Sequence, residues 1–124
     1  MIYLASPYTH PDPVVREQRF KAVCRMAAEL MRRGVILYSP IAHSHPISEF
    51  GLPTEWEYWE TADREHLNHC DELVVLMLEG WRESRGVQAE IRIAQELDKP
   101  VRYLDPLEAT GCPTLAHVAE DVEG

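Results

Sequence analysis

At 124 residues, with 45% hydrophobic and 27% charged positions, the chain has the composition of one ordinary soluble domain, large enough for a single three-layer core. Its formal net charge of -9 argues against a protein built to neutralise nucleic-acid phosphates, a task that demands a basic face. No run of about twenty apolar residues occurs and the first residues enter a strand-like segment directly, so neither a membrane span nor a signal peptide is expected, and a cytoplasmic location is.

Met1 to Ala5 is a short apolar opening that reads as a strand. Three prolines between Ser6 and Pro13 end it in a loop. From Val14 to Arg33 the apolar positions Val15, Phe20, Val23, Met26, Ala27, Leu30 and Met31 follow helical spacing, and Gly34 supplies a C-cap. Val35 to Tyr38 is a second strand, which completes a βαβ unit. Ile41 to Thr54 has no regular period and reads as a long functional loop. Thr54 and Glu57 have capping-box spacing, predicting a helix from about Glu55 to Cys70 that carries Trp59, Asp63, His66 and Cys70 in one stripe.

Leu73 to Leu78 is almost wholly apolar and reads as a strand covered on both faces. After it, Val87, Ile91, Ala94 and Leu97 recur at helical spacing, so the chain turns from strand to helix at Ser84-Arg85-Gly86. Lys99-Pro100 breaks that helix and Val101 to Leu104 makes a further strand. In the tail, one short helix is expected near Leu115 to Glu120. The pattern is α/β: a single domain over residues 1–124 with a three-layer, mostly parallel flavodoxin-like (Rossmann-like) sheet of four to five strands and helices on both faces.

Such sheets bind ligands at the carboxyl ends of their strands. Ser6, Tyr8 and His10 follow the first strand, Ser39 and His43 the second, and Glu79 through Glu90 the third. Ser84 suits a helix cap and Gly86 permits close backbone approach, while Glu90 borders the buried stripe instead of the outer face. Cys24, Cys70 and Cys112 contain no Cys-x-x-Cys pair and support neither a disulfide framework nor a zinc site. His43 and His45 have no third ligand at usable spacing, so no metal or other cofactor is expected. Trp56 and Trp59 suit either base stacking or a hydrophobic lid.

Tyr3 in a leading strand ending in Ala5-Ser6, the run Asp63-x-x-x-Leu67-x-x-Cys70-Asp71, and Ser84-x-Gly86-Val87-x-x-Glu90 together resemble the nucleoside 2-deoxyribosyltransferase superfamily, which includes deoxyribonucleoside 5′-monophosphate N-glycosidases. The resemblance implies a catalytic set of Glu90 as nucleophile at the sugar C1′, Asp63 as the acid for the departing base, and Tyr3 beside the nucleophile. It also implies that Ser84, Gly86 and Val87 form a segment contacting a 5′-phosphate, and that the protein is a homo-oligomer, a dimer or tetramer. Ser6, Tyr8, His43 and Trp59 are further substrate-binding candidates, and Arg16 or Arg19 is a candidate phosphate ligand. The resemblance does not extend to the loop from Ser6 to Pro13 or to the segment holding His43, His45, Trp56, Tyr58 and Trp59.

The chemistry is coherent in itself. Breaking an N-glycosidic bond develops positive charge on the sugar, which a carboxylate stabilises or captures, and the leaving base needs a proton from a second carboxyl. The expected ligand is a small nucleoside or nucleotide, with neither nucleic-acid polymer nor membrane as partner. A non-catalytic nucleotide or metabolite binding module on the same fold is the alternative.

Overall fold

In the structure, a computed structural model that describes residues 1–106 and 118–120, the elements run β1 (Ile2–Ala5), α1 (Pro13–Arg32), β2 (Leu37–Tyr38), α2 (Pro40–Ser48), α3 (Trp56–Asn68), β3 (Glu72–Leu76), α4 (Arg85–Glu96), β4 (Val101–Leu104) and β5 (Val118–Glu120). The strand order is β2-β1-β3-β4-β5, with the first four mutually parallel and β5 antiparallel on β4. This is a three-layer flavodoxin-like α/β fold.

β1 lies between two neighbours and is buried along its whole length, as its unbroken apolar run dictates. The period-two alternation sorts its side chains. Ile2 and Leu4 join Val74, Leu76 and Leu104 against Val23, Met26, Ala27 and Leu30 of α1. Tyr3 and Ala5 join Leu73, Val75 and Val101 on the other face, against Leu67 of α3 and Val87, Ile91 and Ala94 of α4. Asp12 caps α1 by accepting from the Val14 amide at 2.9 Å, Pro13 opens the helix, and Gly34 follows its end with φ +88°.

The structure departs from the sequence expectations in identifiable ways. The segment read as a loop from Ile41 contains α2, capped by Ser39, whose Oγ accepts from the Ala42 amide at 3.2 Å. Its buried residues are Pro40, Ser44, His45 and Ser48, so the helix has no apolar stripe to betray it, and Pro46 lies inside it. No capping box forms on α3: Glu55 is its N-cap without a side-chain bond, and Glu57 pairs with Arg85 instead. The carbonyl of Thr54 accepts from Thr9 Oγ1 at 3.2 Å. Met31, placed in the α1 stripe, is 54% exposed. β2 and β3 are shorter than their apolar runs. Residues 118–120 pair with β4 as a strand instead of ending a helix, and residues 115–117 and Cys112 lie outside the described residues. Cys24 and Cys70 are free thiols. No described helix is long and apolar enough to cross a membrane.

The loops after β1 and β3 are fastened to each other. Arg19 of α1 donates to the Thr9 carbonyl at 3.1 Å and to the Glu79 carbonyl at 3.3 Å. Gly80, beside that contact, has φ +93°, and a Cβ there would lie 2.5 Å from Arg19 Nη2. Gly80→Ala is therefore expected to lower unfolding stability by about 1–2 kcal/mol through left-handed strain and loss of the brace. Urea unfolding checks this as a lower midpoint at unchanged slope.

Candidate active site

The carboxyl ends of β1 and β3 and the start of α2 open on a cleft whose empty space, mouth included, is about 470 Å³. That is within the range of roughly 300–1,000 Å³ typical of small-molecule sites. Its walls include Ser6 and Tyr8 after β1, Ser44 and Ser48 of α2, Trp56, Trp59 and Asp63 of α3, and Ser84, Gly86 and Glu90 of α4.

Glu90 lies on the inward side of α4, only 4% exposed. Tyr3, pointing from β1 toward the same helix, donates its hydroxyl to Glu90 Oε2 at 2.5 Å. Asp63, in the middle of α3, is 7% exposed. Burial pushes the Glu90 carboxyl well above the ordinary range, the Asp63 charge pushes it further, and the Tyr3 hydrogen bond pulls it back. Burial likewise raises Asp63 to about 7. The Asp63 charge thus opposes ionisation of Glu90, and the Tyr3 hydroxyl favours the Glu90 carboxylate. One buried carboxyl held by a hydroxyl donor and a second that burial keeps protonated toward neutral pH are groups suited to nucleophile and acid.

Ser84 forms the near wall. Its Oγ caps α4 by accepting from the Val87 amide at 3.2 Å, leaving the first-turn amides of the helix at the cleft edge. Gly86 keeps that edge low: a Cβ would sit 3.6 Å from Trp56, an ordinary contact, so its absence opens space and relieves no clash. Ser6 is 5% exposed, and its Oγ has no hydrogen-bond partner among the described residues. Trp59 donates from its indole to the Pro53 carbonyl at 2.8 Å, which fixes it as part of the wall. Opposite, burial raises the Tyr8 phenol above its usual range while Ser48 and Arg16 pull it down. Its oxygen lies 2.6 Å from His45 Nδ1.

Of the residues singled out from sequence, Ser6, Tyr8, Trp59, Asp63, Ser84, Gly86 and Glu90 share this cleft, with Tyr3 directly behind Glu90. Four others do not line it. Arg16 donates to the His10 carbonyl and Arg19 braces the two loops, so both guanidiniums hold backbone. His43 is exposed in an aromatic group, its ring 5.9 Å from Tyr38 and 6.1 Å from His66. The Val87 side chain is fully buried core. Thr9, Ile41, Ser44, Ser48 and Thr54 line the cleft without having been singled out as site residues, and Trp56, read from sequence as a base platform or lid, lines it as well. Ser44 and Ser48, four apart, carry the one available signal, a polar pair on one helix face, legible only once Ile41 to Ser48 is known to be helical.

Glu17, His45 and Glu49 offer ligand atoms within 4.8 Å of one another and are the described residues that could hold a metal ion. In this structure they satisfy each other, with His45 Nε2 at 2.9 Å from Glu17 and 3.3 Å from Glu49.

Fold and cleft together define a mostly parallel α/β domain carrying two buried carboxyls at the carboxyl edge of its sheet. A family described as a domain of unknown function, DUF1937, matches residues 1–105, and the chain belongs to that family. No curated protein matches it.

The buried acid gives a stability prediction with a definite sign. Folding raises the Asp63 pKa from 3.8 to about 7, so the folded state binds the proton more tightly. The stabilisation is complete below pH 3.8 and is lost as pH rises through about 7. Asp63→Asn, neutral in both states, should gain on the parent protein across that window, by up to about 4 kcal/mol at 1.36 kcal/mol per pKa unit. Urea unfolding of both proteins at a series of pH values measures it.

Proposed function

We propose that this chain cleaves or transfers the N-glycosidic bond of a nucleoside or nucleoside 5′-monophosphate, with Glu90 as nucleophile and Asp63 as acid. We also propose that its family is related to the nucleoside 2-deoxyribosyltransferase superfamily that the Tyr3, Asp63 and Ser84-x-Gly86-Val87-x-x-Glu90 pattern resembles. The observation that carries the reading is the buried pair: Glu90 held by Tyr3 at 2.5 Å, beside an Asp63 whose proton is retained to about pH 7.

The Glu90 carboxylate attacks C1′ as the bond to the base breaks, and the bonding pair leaves with the base. The Asp63 proton moves to the base nitrogen. Glu90 is then an ester of the sugar. Water attacking C1′ returns Glu90 as carboxylate, releases the free sugar and restores the proton to Asp63, whereas a second base in place of water gives transfer. Tyr3 stabilises the carboxylate as it re-forms.

Supporting features lie around this pair. The first turn of α4, capped by Ser84, offers amides to an anionic 5′ group. Trp56 and Trp59 offer planar apolar walls for a base. Assembly into a dimer or tetramer is part of the proposal.

Purified protein incubated with a panel of ribo- and deoxyribonucleosides and their 5′-monophosphates, followed by chromatography for free base, tests the reading. Glu90→Gln should lower release by about 10³-fold or more. Asp63→Asn should lower it by about 10²–10⁴-fold, less for bases that leave without protonation. Tight binding of ligand that stays intact through long incubation would favour the binding-module alternative, and release indifferent to Glu90→Gln would remove the nucleophile.

A further inference from the structure

Across the cleft from α4 stands a second polar system that the proposed reaction does not use. Tyr8 Oη lies 2.6 Å from His45 Nδ1, and His45 Nε2 lies 2.9 Å from Glu17 Oε1. His45 is 7% exposed and Tyr8 8%. The Phe20 ring stacks on the imidazole at 4.3 Å, which fixes its plane. The chain of groups thus runs from the cleft wall to a half-exposed carboxylate.

Its direction follows from what each atom can do. Ionised Glu17 only accepts, so Nε2 must carry the hydrogen. We propose that His45 carries its one hydrogen at Nε2, so that Nδ1 accepts from the Tyr8 hydroxyl. The phenol has a single hydrogen. Once that is committed to His45, the oxygen has only lone pairs left, toward which the Ser48 and Arg16 side chains also lie.

On that tautomer Tyr8 is a specificity-determining residue that accepts a hydrogen bond from a free sugar hydroxyl of the ligand, its polarity set by His45 and Glu17. This rests on the nucleoside reading and narrows it. A phosphate or other acceptor-only group would be rejected at this wall, whereas the α4 end of the cleft favours one. Ser6, whose buried Oγ has no partner among the described residues, stands two residues before Tyr8 on the same cleft and can serve the same sugar edge. The charged and titratable groups facing the relay are Glu17 of α1, Glu49 at the end of α2, and Arg16 near Tyr8; Lys21 sits 3.9 Å from Glu17.

Two measurements decide it. Long-range ¹H–¹⁵N spectra of the histidine-labelled protein at neutral pH should show His45 protonated at Nε2 alone, with the Nδ1 resonance moved by Tyr8→Phe. Protonated Nδ1, or a spectrum indifferent to Tyr8→Phe, overturns the polarity. Calorimetry in a Glu90→Gln background, which keeps the ligand intact, then compares nucleosides and 5′-monophosphates carrying hydroxyl, hydrogen or fluorine at each sugar position. At one position, loss of the hydroxyl should weaken binding about 3- to 10-fold, fluorine should not rescue it, and Tyr8→Phe should abolish the difference. Discrimination that survives Tyr8→Phe overturns the assignment while leaving Glu90 untouched. Failure of every nucleoside to bind removes the nucleoside reading and the sugar hydroxyl with it.

Discussion

The hydrogen bond from Tyr3 to Glu90 is the constraint around which this domain is arranged. A carboxylate that is 4% exposed is too costly to keep charged without a donor, and here the donor comes from β1, an interior strand of the sheet. That choice ties chemistry to register. Tyr3 is opposite Leu73 on one side and Tyr38 on the other, so two ladders hold it in place. A slip of one residue would turn the phenol to the α1 face and leave Glu90 with burial and no compensation. An edge strand, with one ladder, would hold the hydroxyl less firmly.

The second constraint is that three segments far apart in sequence must keep a fixed separation at the sheet edge. Loops after strands are intrinsically mobile, and the fold limits this with charged groups instead of apolar packing. Arg19 joins the loops after β1 and β3 through their carbonyls, Thr9 reaches the Thr54 carbonyl, and Glu57 of α3 pairs with Arg85 at the start of α4. Thr9 and Thr54 themselves line the cleft, whereas Arg19 and Arg85 do not. The positive charge nearest the site is therefore engaged in architecture, and the site is left to neutral hydroxyls, helix amides and two acids.

The parts of this molecule legible in its sequence are those whose burial is apolar. β1, β3 and β4 announce themselves as short hydrophobic runs, and α1 and α4 as periodic stripes, because one face of each must meet the sheet. α2 is hidden for the opposite reason: it turns serines and a histidine inward, toward other polar groups, and hydrophobic periodicity carries no trace of that. The histidines show the consequence. Two residues apart on a helix they diverge by about 200°, so His43 and His45 cannot share a face, and only His45 faces Tyr8. Reading the segment as a loop removes that distinction. The arginines fail differently, since a guanidinium beside a loop serves a phosphate or a backbone carbonyl equally well, and nothing local separates the two. Glu90 and Asp63 were legible because their spacing set them against buried stripes, where an acid needs a reason.

On the proposed tautomer of His45, the groups lining the cleft differ in hydrogen-bond character, which bears on how a ligand would be oriented. The α4 side presents the amides of a helix start, and Asp63 of the neighbouring α3 donates when protonated, with the accepting Glu90 between them and the sheet. On the proposed tautomer of His45, the Tyr8 side presents acceptor lone pairs. A molecule with acceptors at one end and hydroxyls at the other fits in one direction and is opposed in the other, because reversal leaves buried groups unpaired on both walls. In the proposed reaction this orientation matters more than affinity. It would carry the anomeric carbon to the carboxylate that Tyr3 keeps in place, and the leaving base to Asp63, so polarity in the walls does what a larger, more apolar pocket would have to do by shape.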